Sequence, residues 1–238
     1  VTAGVASCLA AMGHRVLCID MDVGLRNLDL SLGMGEEPVL PFTAVMAGEY
    51  PLSCAAAHPN IENLYLLTAP VTQAPEDIDA DAFGQLLGEV RESYDWCLID
   101  APAGVGTGFK LAVRHADLAV VVTGGEPAAL RDGARTVGIL EQCSEAQAKV
   151  VVNRIRPKLF KRRRFTVDDC MDTVGLPLLG IVPEDEAVAL CAASGKPLRR
   201  NGKTRRKNSH ARMRSANPYL QSFLIALCEF QCSVMEKS

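Results

Sequence analysis

Nine cysteines are spread through the 238 residues, yet no two form a Cys-x-x-Cys pair and no metal-ligand spacing appears. That absence argues against iron–sulfur and structural-zinc chemistry, which relies on such pairs. No uninterrupted apolar run reaches the ~20 residues that span a bilayer, and no signal-peptide pattern opens the chain. The expectation is a cytoplasmic protein in a reducing compartment. Cys8, Cys18 and Cys97 sit within apolar runs and read as small core residues. Acids are also missing locally. Arg199 to Cys228 holds eight Lys or Arg and no Asp or Glu, although the whole chain carries −3. The result is an acidic body with a basic segment near its end. No aromatics interleave the run Arg199–Lys207, so no nucleic acid is expected as a partner.

What is present suits one large α/β domain. At 48% hydrophobic and 22% charged, the chain can bury a substantial core. Apolar runs at Val16–Asp20, Leu64–Thr68, Trp96–Asp100, Leu118–Thr123, Lys149–Asn153 and Leu178–Val182 read as strands. Helical patterns alternate with them. In the opening helix Val1, Val5, Cys8, Leu9 and Met12 share a face, and Gly13 ends it. Phe42–Ala47 reads as a short helix, and Phe83, Leu86, Leu87 and Val90 mark an amphipathic one. Ala128–Cys143, Val167–Val174 and Glu184–Ala193 complete the set. The alternation predicts a mostly parallel sheet with helices on both faces.

Two of these strands end in acid. Ile19-Asp20-Met21-Asp22 is followed by Val-Gly-Leu-Arg-Asn-Leu-Asp29, and Ile99-Asp100 by Ala-Pro-Ala-Gly104. If strand geometry persists, Asp20 and Asp22 share a face. Ligands of open α/β sheets bind beyond the carboxyl ends of the strands. Two such ends carrying Asp therefore suggest a shared metal–phosphate site.

These residues resemble the ParA/MinD group of deviant-Walker P-loop ATPases. Ile19-Asp20-Met21-Asp22-Val23-Gly24-Leu25-Arg26-Asn27-Leu28-Asp29 carries the most individual likeness. Asp100-Ala101-Pro102-Ala103-Gly104 is similar to the group's Walker B and switch region. Val151-Val152-Asn153-Arg154 and Val182-Pro183-Glu184-Asp185 are similar to its two late nucleotide-contacting loops. The resemblance covers roughly residues 1–198 and implies a P-loop NTPase fold. It leaves 199–238 as a divergent tail, basic and then apolar.

The group begins with a strand and a Gly-rich loop ending Gly-Lys-Thr-Thr, and Val1-Thr2-Ala3-Gly4 looks like the helix just after that loop. The first strand and P-loop are thus expected to be missing. This chain is expected to bind no ATP appreciably and to suffer in stability from the loss of a central strand.

For the intact protein the resemblance implies ATP and Mg²⁺ as cofactors. Asp100 becomes the partner of Mg²⁺, a cation that needs hard oxygen ligands. Asp22 matches the catalytic position that orients the attacking water. Asp20 supports that geometry or simply caps its strand. Pro102 and Gly104 belong to the switch. Asn153 offers an amide to adenine's edge, with Arg154, Pro183, Glu184 and Asp185 around the nucleotide. Arg26, Asn27 and Asp29 serve the dimer interface and partner binding.

The implied activity is an ATP-dependent homodimerising switch that positions the division septum. It would bind the inner face of the cell membrane and meet division-inhibitor and topological-specificity proteins. Flagellar placement, DNA partition and a non-catalytic scaffold of the same fold remain alternatives. For the tail, Tyr219–Met235 reads as a last core helix, an interfacial anchor helped by the basic run, or an out-of-frame end.

Overall fold

The computed structural model describes residues 1–156, 166–193 and 223–229. Helix α1 (Thr2–Ala11) leads into β1 (Val16–Asp20), then α2 (Leu28–Leu32), α3 (Phe42–Met46), β2 (Ala56–Ala57) and β3 (Leu64–Leu67). Next come α4 (Ala80–Ser93), β4 (Trp96–Ala101), α5 (Thr107–Arg114), β5 (Leu118–Thr123), α6 (Pro127–Cys143) and β6 (Gln147–Ile155). The described elements close with α7 (Val167–Val174), β7 (Leu178–Pro183), α8 (Glu186–Ala193) and β8 (Phe223–Glu229).

The strands form one sheet in the order β2-β3-β1-β4-β8-β5-β6-β7. Every pairing is parallel except that of β2, a two-residue antiparallel edge on β3. The central strands are continuous apolar runs because both faces are covered. All five residues of β1 and all six of β5 are buried. On one face Leu17, Ile19 and Ile99 pack against Phe83, Leu86 and Leu87 of α4 and Phe109 of α5. Farther along the same face Val121, Val150 and Val152 meet Leu130 and Val137 of α6 and Val174 of α7. On the opposite face Val16, Cys18, Leu64 and Leu98 meet Ala6, Leu9 and Ala10 of α1 and Leu28 and Leu32 of α2.

Several expectations need correction. The centre of the sheet is not empty, because β8 fills it and pairs with both β4 and β5. Its Ile225, Ala226 and Leu227 are buried. Within Tyr219–Met235 the described residues are therefore a core strand and not a helix or a surface anchor. An apolar run this short has no period that separates a buried strand from a buried helix.

The opening helix turns inward a face that only partly matches the predicted stripe. Thr2, Ala6, Leu9 and Ala10 are buried, while Cys8 is exposed and Met12 is 64% exposed. Ala6 and Ala10 let α1 lie close to the sheet; of the predicted stripe Leu9 is buried and Val1 and Val5 pack partly buried against the same core, while Cys8 and Met12 turn outward. Cys18 and Cys97 are core residues as expected; Cys8 is not.

Candidate functional site

β1 ends at Asp20, so the strand geometry does not run on to Asp22 and the two carboxylates do not share a strand face. Asp20 is 1% exposed, and both its oxygens are engaged. Oδ1 accepts the Asp22 N–H at 2.9 Å and Oδ2 accepts the Leu28 N–H at 3.1 Å. Asp20 thereby anchors the loop that follows and satisfies a donor at the start of α2. Burial raises its pKa above the ordinary carboxylate value against those two hydrogen bonds, which lower it; the nearby Asp22 and Asp29 carboxylates raise it further. Asp22 lies half-buried just past the strand end, and burial raises its pKa as well.

Asp100 is the register partner of Asp20 on the neighbouring strand. Thr2 Oγ1 donates to Asp100 Oδ1 at 2.5 Å. The start of α1 and the ends of β1 and β4 thus meet at one carboxyl edge. Thr2, 2% exposed, is a site residue that the sequence reading passed over. The available signal was a hydroxyl on the buried face of an otherwise apolar first turn.

The Arg26–Asp29 segment is locally braced. Arg26 has φ +47°, an uncommon conformation for a side-chain-bearing residue. Its Nε lies 3.3 Å from Asp29 Oδ2. Asp29 is buried and Oδ1 accepts the Leu30 N–H, while Asn27 is exposed at the N-cap of α2. Leu25 and Leu30 beside them are 71% and 54% exposed.

Pro102 and Gly104 follow β4 in an irregular turn leading to α5. Gly104 sits at φ +90°, where any Cβ would be strained. Asn153, Arg154, Pro183, Glu184 and Asp185 gather at the far side of the same edge, since Ile155 of β6 pairs with Pro183 of β7. β8 and β5 separate β4 from β6, which at ~4.8 Å per strand sets the two groups roughly 14 Å apart. Asn153 Oδ1 accepts the Arg154 N–H at 2.9 Å, with Arg154 at φ +53°. Glu184 is held by Arg156, whose hydrogen bonds pull its carboxyl below the ordinary value. Asp185 Oδ1 accepts the Ala187 N–H at the start of α8.

Asp22 and Asp100 supply hard oxygen donors suited to a divalent cation. The fit to a nucleotide's phosphates is poor. The loop after β1 carries one cation, Arg26, and it faces Asp29. The loops 102–106 and 124–126, after β4 and β5, carry none. Between them, Glu229 of β8 occupies the register position beside Val122. A polyphosphate needs positive charge and free N–H donors at that place. An open groove of about 370 Å³ lies elsewhere, lined by residues including Thr107, Lys110, Arg114 and Cys143, and it contains none of the candidate residues.

Comparison with known proteins places this geometry. The model of the CobQ/CobB/MinD/ParA nucleotide binding domain matches residues 1–198. The septum site-determining protein MinD of Synechocystis is 35% identical over 83% of this chain and 75% of its own length. In solved structures, MinD in the MinC:MinD cell division complex of Aquifex aeolicus superposes with a TM-score of 0.74 at 34% identity, covering 82% of this chain and 80% of that one. MinD of Pyrococcus horikoshii complexed with Mg-ADP gives a TM-score of 0.69 at 28% identity, over 82% and 79%. The parallel sheet, the acid-ended β1 and β4 and these matches lead to one conclusion: the chain belongs to the CobQ/CobB/MinD/ParA nucleotide-binding family, in its MinD ATPase branch.

Proposed function

We propose that this domain belongs to an ATP-dependent, dimerising switch that positions the cell-division septum at the membrane surface, and that residues 1–238 alone do not bind ATP appreciably. The observation that carries the reading is the meeting of Asp20, Asp22 and Asp100 at one carboxyl edge in a MinD-type sheet. Asp100 takes the role of the Mg²⁺ partner, held in orientation by Thr2. Asp22, outside the strand and half-buried, takes the role of the acceptor that orients the attacking water. Asp20 fixes the loop carrying Asp22 by bonding its backbone N–H.

Asn153 and its neighbours on β6 and β7 are assigned to the nucleoside end. Arg26, Asn27 and Asp29, flanked by the exposed Leu25 and Leu30, are assigned to contacts with a second copy and with a division inhibitor. The MinC:MinD complex of the Aquifex relative supports such a partner.

A second reading has one observation on its side. Among the described residues, the scarcity of cations in the loops after β1, β4 and β5 suits a scaffold that keeps the fold and works through protein contacts alone. Calorimetric titration of Mg-ATP into the 238-residue chain tests the first proposal. A dissociation constant no tighter than about 1 mM is expected. Micromolar binding would overturn the claim of inactivity and identify a phosphate site the carboxyl edge does not suggest. Titration into a chain with Lys-Gly-Gly-x-Gly-Lys-Thr-Thr added ahead of Val1 separates switch from scaffold: binding supports the switch, and none supports the scaffold.

A further inference from the structure

We propose that His58 is an acid-sensitive fastener: its neutral imidazole ties the last turn of α2 to the turn between β2 and β3, and a proton on Nδ1 releases it. His58 directly follows β2 and is 5% exposed. Its own N–H donates to Leu64 O at 2.8 Å, extending the β2–β3 pairing by one residue.

Backbone groups alone fix the ring. Nδ1 accepts the Asn60 N–H at 3.0 Å and the Ile61 N–H at 3.1 Å. A ring nitrogen that accepts carries no hydrogen, so the proton of the neutral ring sits on Nε2. Nε2 lies 2.9 Å from Leu32 O and donates to it. One tautomer therefore satisfies all three contacts. The other would set N–H against N–H at one nitrogen and a lone pair against a carbonyl at the other.

An imidazolium carries hydrogens on both nitrogens. Its Nε2–H keeps the Leu32 carbonyl, and a positive charge suits the carbonyl end of a helix. Its Nδ1–H faces the Asn60 and Ile61 donors, which lose their acceptor. Two bonds fail and one strengthens, so the proton favours a ring withdrawn from the turn. Withdrawal leaves α2 tied at its N-terminal end, where the Leu28 N–H bonds Asp20. Five residues are too few to hold a helix without tertiary support. The segment Arg26–Asp29 and the exposed Leu30 gain freedom with it. Asn63 O keeps the Val16 N–H, so the sheet stays closed. The device operates whatever that segment contacts.

Among the described residues, no charged side chain bonds the ring. β2 carries no titratable group, and α1 carries only the exposed Cys8. Tyr65 of β3 lies on the other face of the sheet, beneath Arg15. On α2, Asp29 is turned to the Leu30 N–H and to Arg26. Glu62 of the turn and Glu36 and Glu37 after α2 are exposed. His14, on the α1–β1 turn, faces Asp95 and Trp96.

The test uses the 238-residue chain. In long-range ¹H–¹⁵N spectra at about pH 8, His58 is expected to show hydrogen on Nε2 and none on Nδ1. Amide hydrogen exchange is then followed from about pH 8 to about pH 5, with the intrinsic rate corrected at each pH. Protection of Asn60 and Ile61 is expected to hold above about pH 6.5 and to fall roughly tenfold per pH unit below it, because each opening takes up one proton on a solvated imidazole. Gly33 and Met34, whose N–H groups bond back to Leu30 and Asp29, are expected to follow, while Cys18 and Val121 of the sheet stay protected. In His58→Asn the side-chain oxygen replaces Nδ1 as acceptor and takes up no proton. Asn60 and Ile61 are then expected to stay protected with no dependence on pH. A level profile in the native chain, a ring with hydrogen on Nδ1, or the same slope in His58→Asn would overturn the proposal; the last would place the titration at another group.

Discussion

Thr2 Oγ1 donates a 2.5 Å hydrogen bond to Asp100 Oδ1, tying the first turn of α1 to the carboxyl end of β4 across 98 positions of sequence. Thr2 is 2% exposed, so water cannot readily replace the hydroxyl. Thr2→Val keeps the shape and removes the donor. It is expected to cost about 1.5–3 kcal/mol of unfolding free energy, the range for hydrogen bonds to charged groups. Thr2→Ser keeps the donor and should cost less than about 1 kcal/mol. Urea denaturation of the three chains checks this, and equal losses for Val and Ser would mean that the methyl group matters instead.

Asp20 makes a pH prediction. Burial raises its carboxyl pKa above the ordinary value of 3.8. Between 3.8 and the raised value the folded chain holds more of this proton than the unfolded chain does. The stability contributed by Asp20 is therefore greatest below that window and declines as pH rises through it. Asp20→Asn retains one oxygen acceptor for the two N–H groups and removes the titration. The stability gap between wild type and Asp20→Asn is expected to narrow as pH rises above 3.8 through the raised value. A gap that widens with pH would show that hydrogen bonding to the ionised form outweighs burial. Asp20→Ala should cost about 2–4 kcal/mol, since it leaves the buried Leu28 N–H unpaired.

The cysteines report on the sheet. Cys18 is 0% and Cys97 2% exposed, and burial pushes both thiols well above their ordinary value. Cys8 and Cys54 are exposed. With maleimide at neutral pH, Cys8 and Cys54 are expected to react within minutes. Cys18 and Cys97 should label only on unfolding, as thiols kept both buried and protonated do. Peptide mapping by mass spectrometry distinguishes the sites. Rapid labelling of Cys97 in folded protein would contradict the pairing of β4 between β1 and β8.

In a chain carrying the phosphate loop, Asp22→Asn tests the assigned role most directly. Loss of a positioned acceptor costs on the order of 10²–10⁴ in rate. Phosphate release should fall by that factor while nucleotide affinity changes little, because Asp22 is assigned to the water and not to the nucleotide. A weakened affinity with unchanged turnover would reassign it to binding.

Much of the fold was legible because buried parallel strands are written as continuous apolar runs. Val16–Asp20 and Leu118–Thr123 have the bounds their patterns predict. The acids at the carboxyl ends of β1 and β4 were equally plain, because each interrupts a continuous apolar run. Less was legible where one local pattern allows two outcomes. The apolar stretch around Phe223–Glu229 carries no period, and alanines can face inward on α1 while Met12 faces out.

The amino-acid sequence by itself determined the alternation of strand and helix, the parallel class of the sheet and the family, because these follow from local hydrophobic patterns and contiguous motifs. Tertiary structure alone decided that β8 closes the sheet between β4 and β5, that Thr2 reaches Asp100, and that Asp20 turns its oxygens onto Asp22 and Leu28. Those outcomes depend on backbone groups and positions far apart in the chain seeking partners in a space that only the assembled sheet defines.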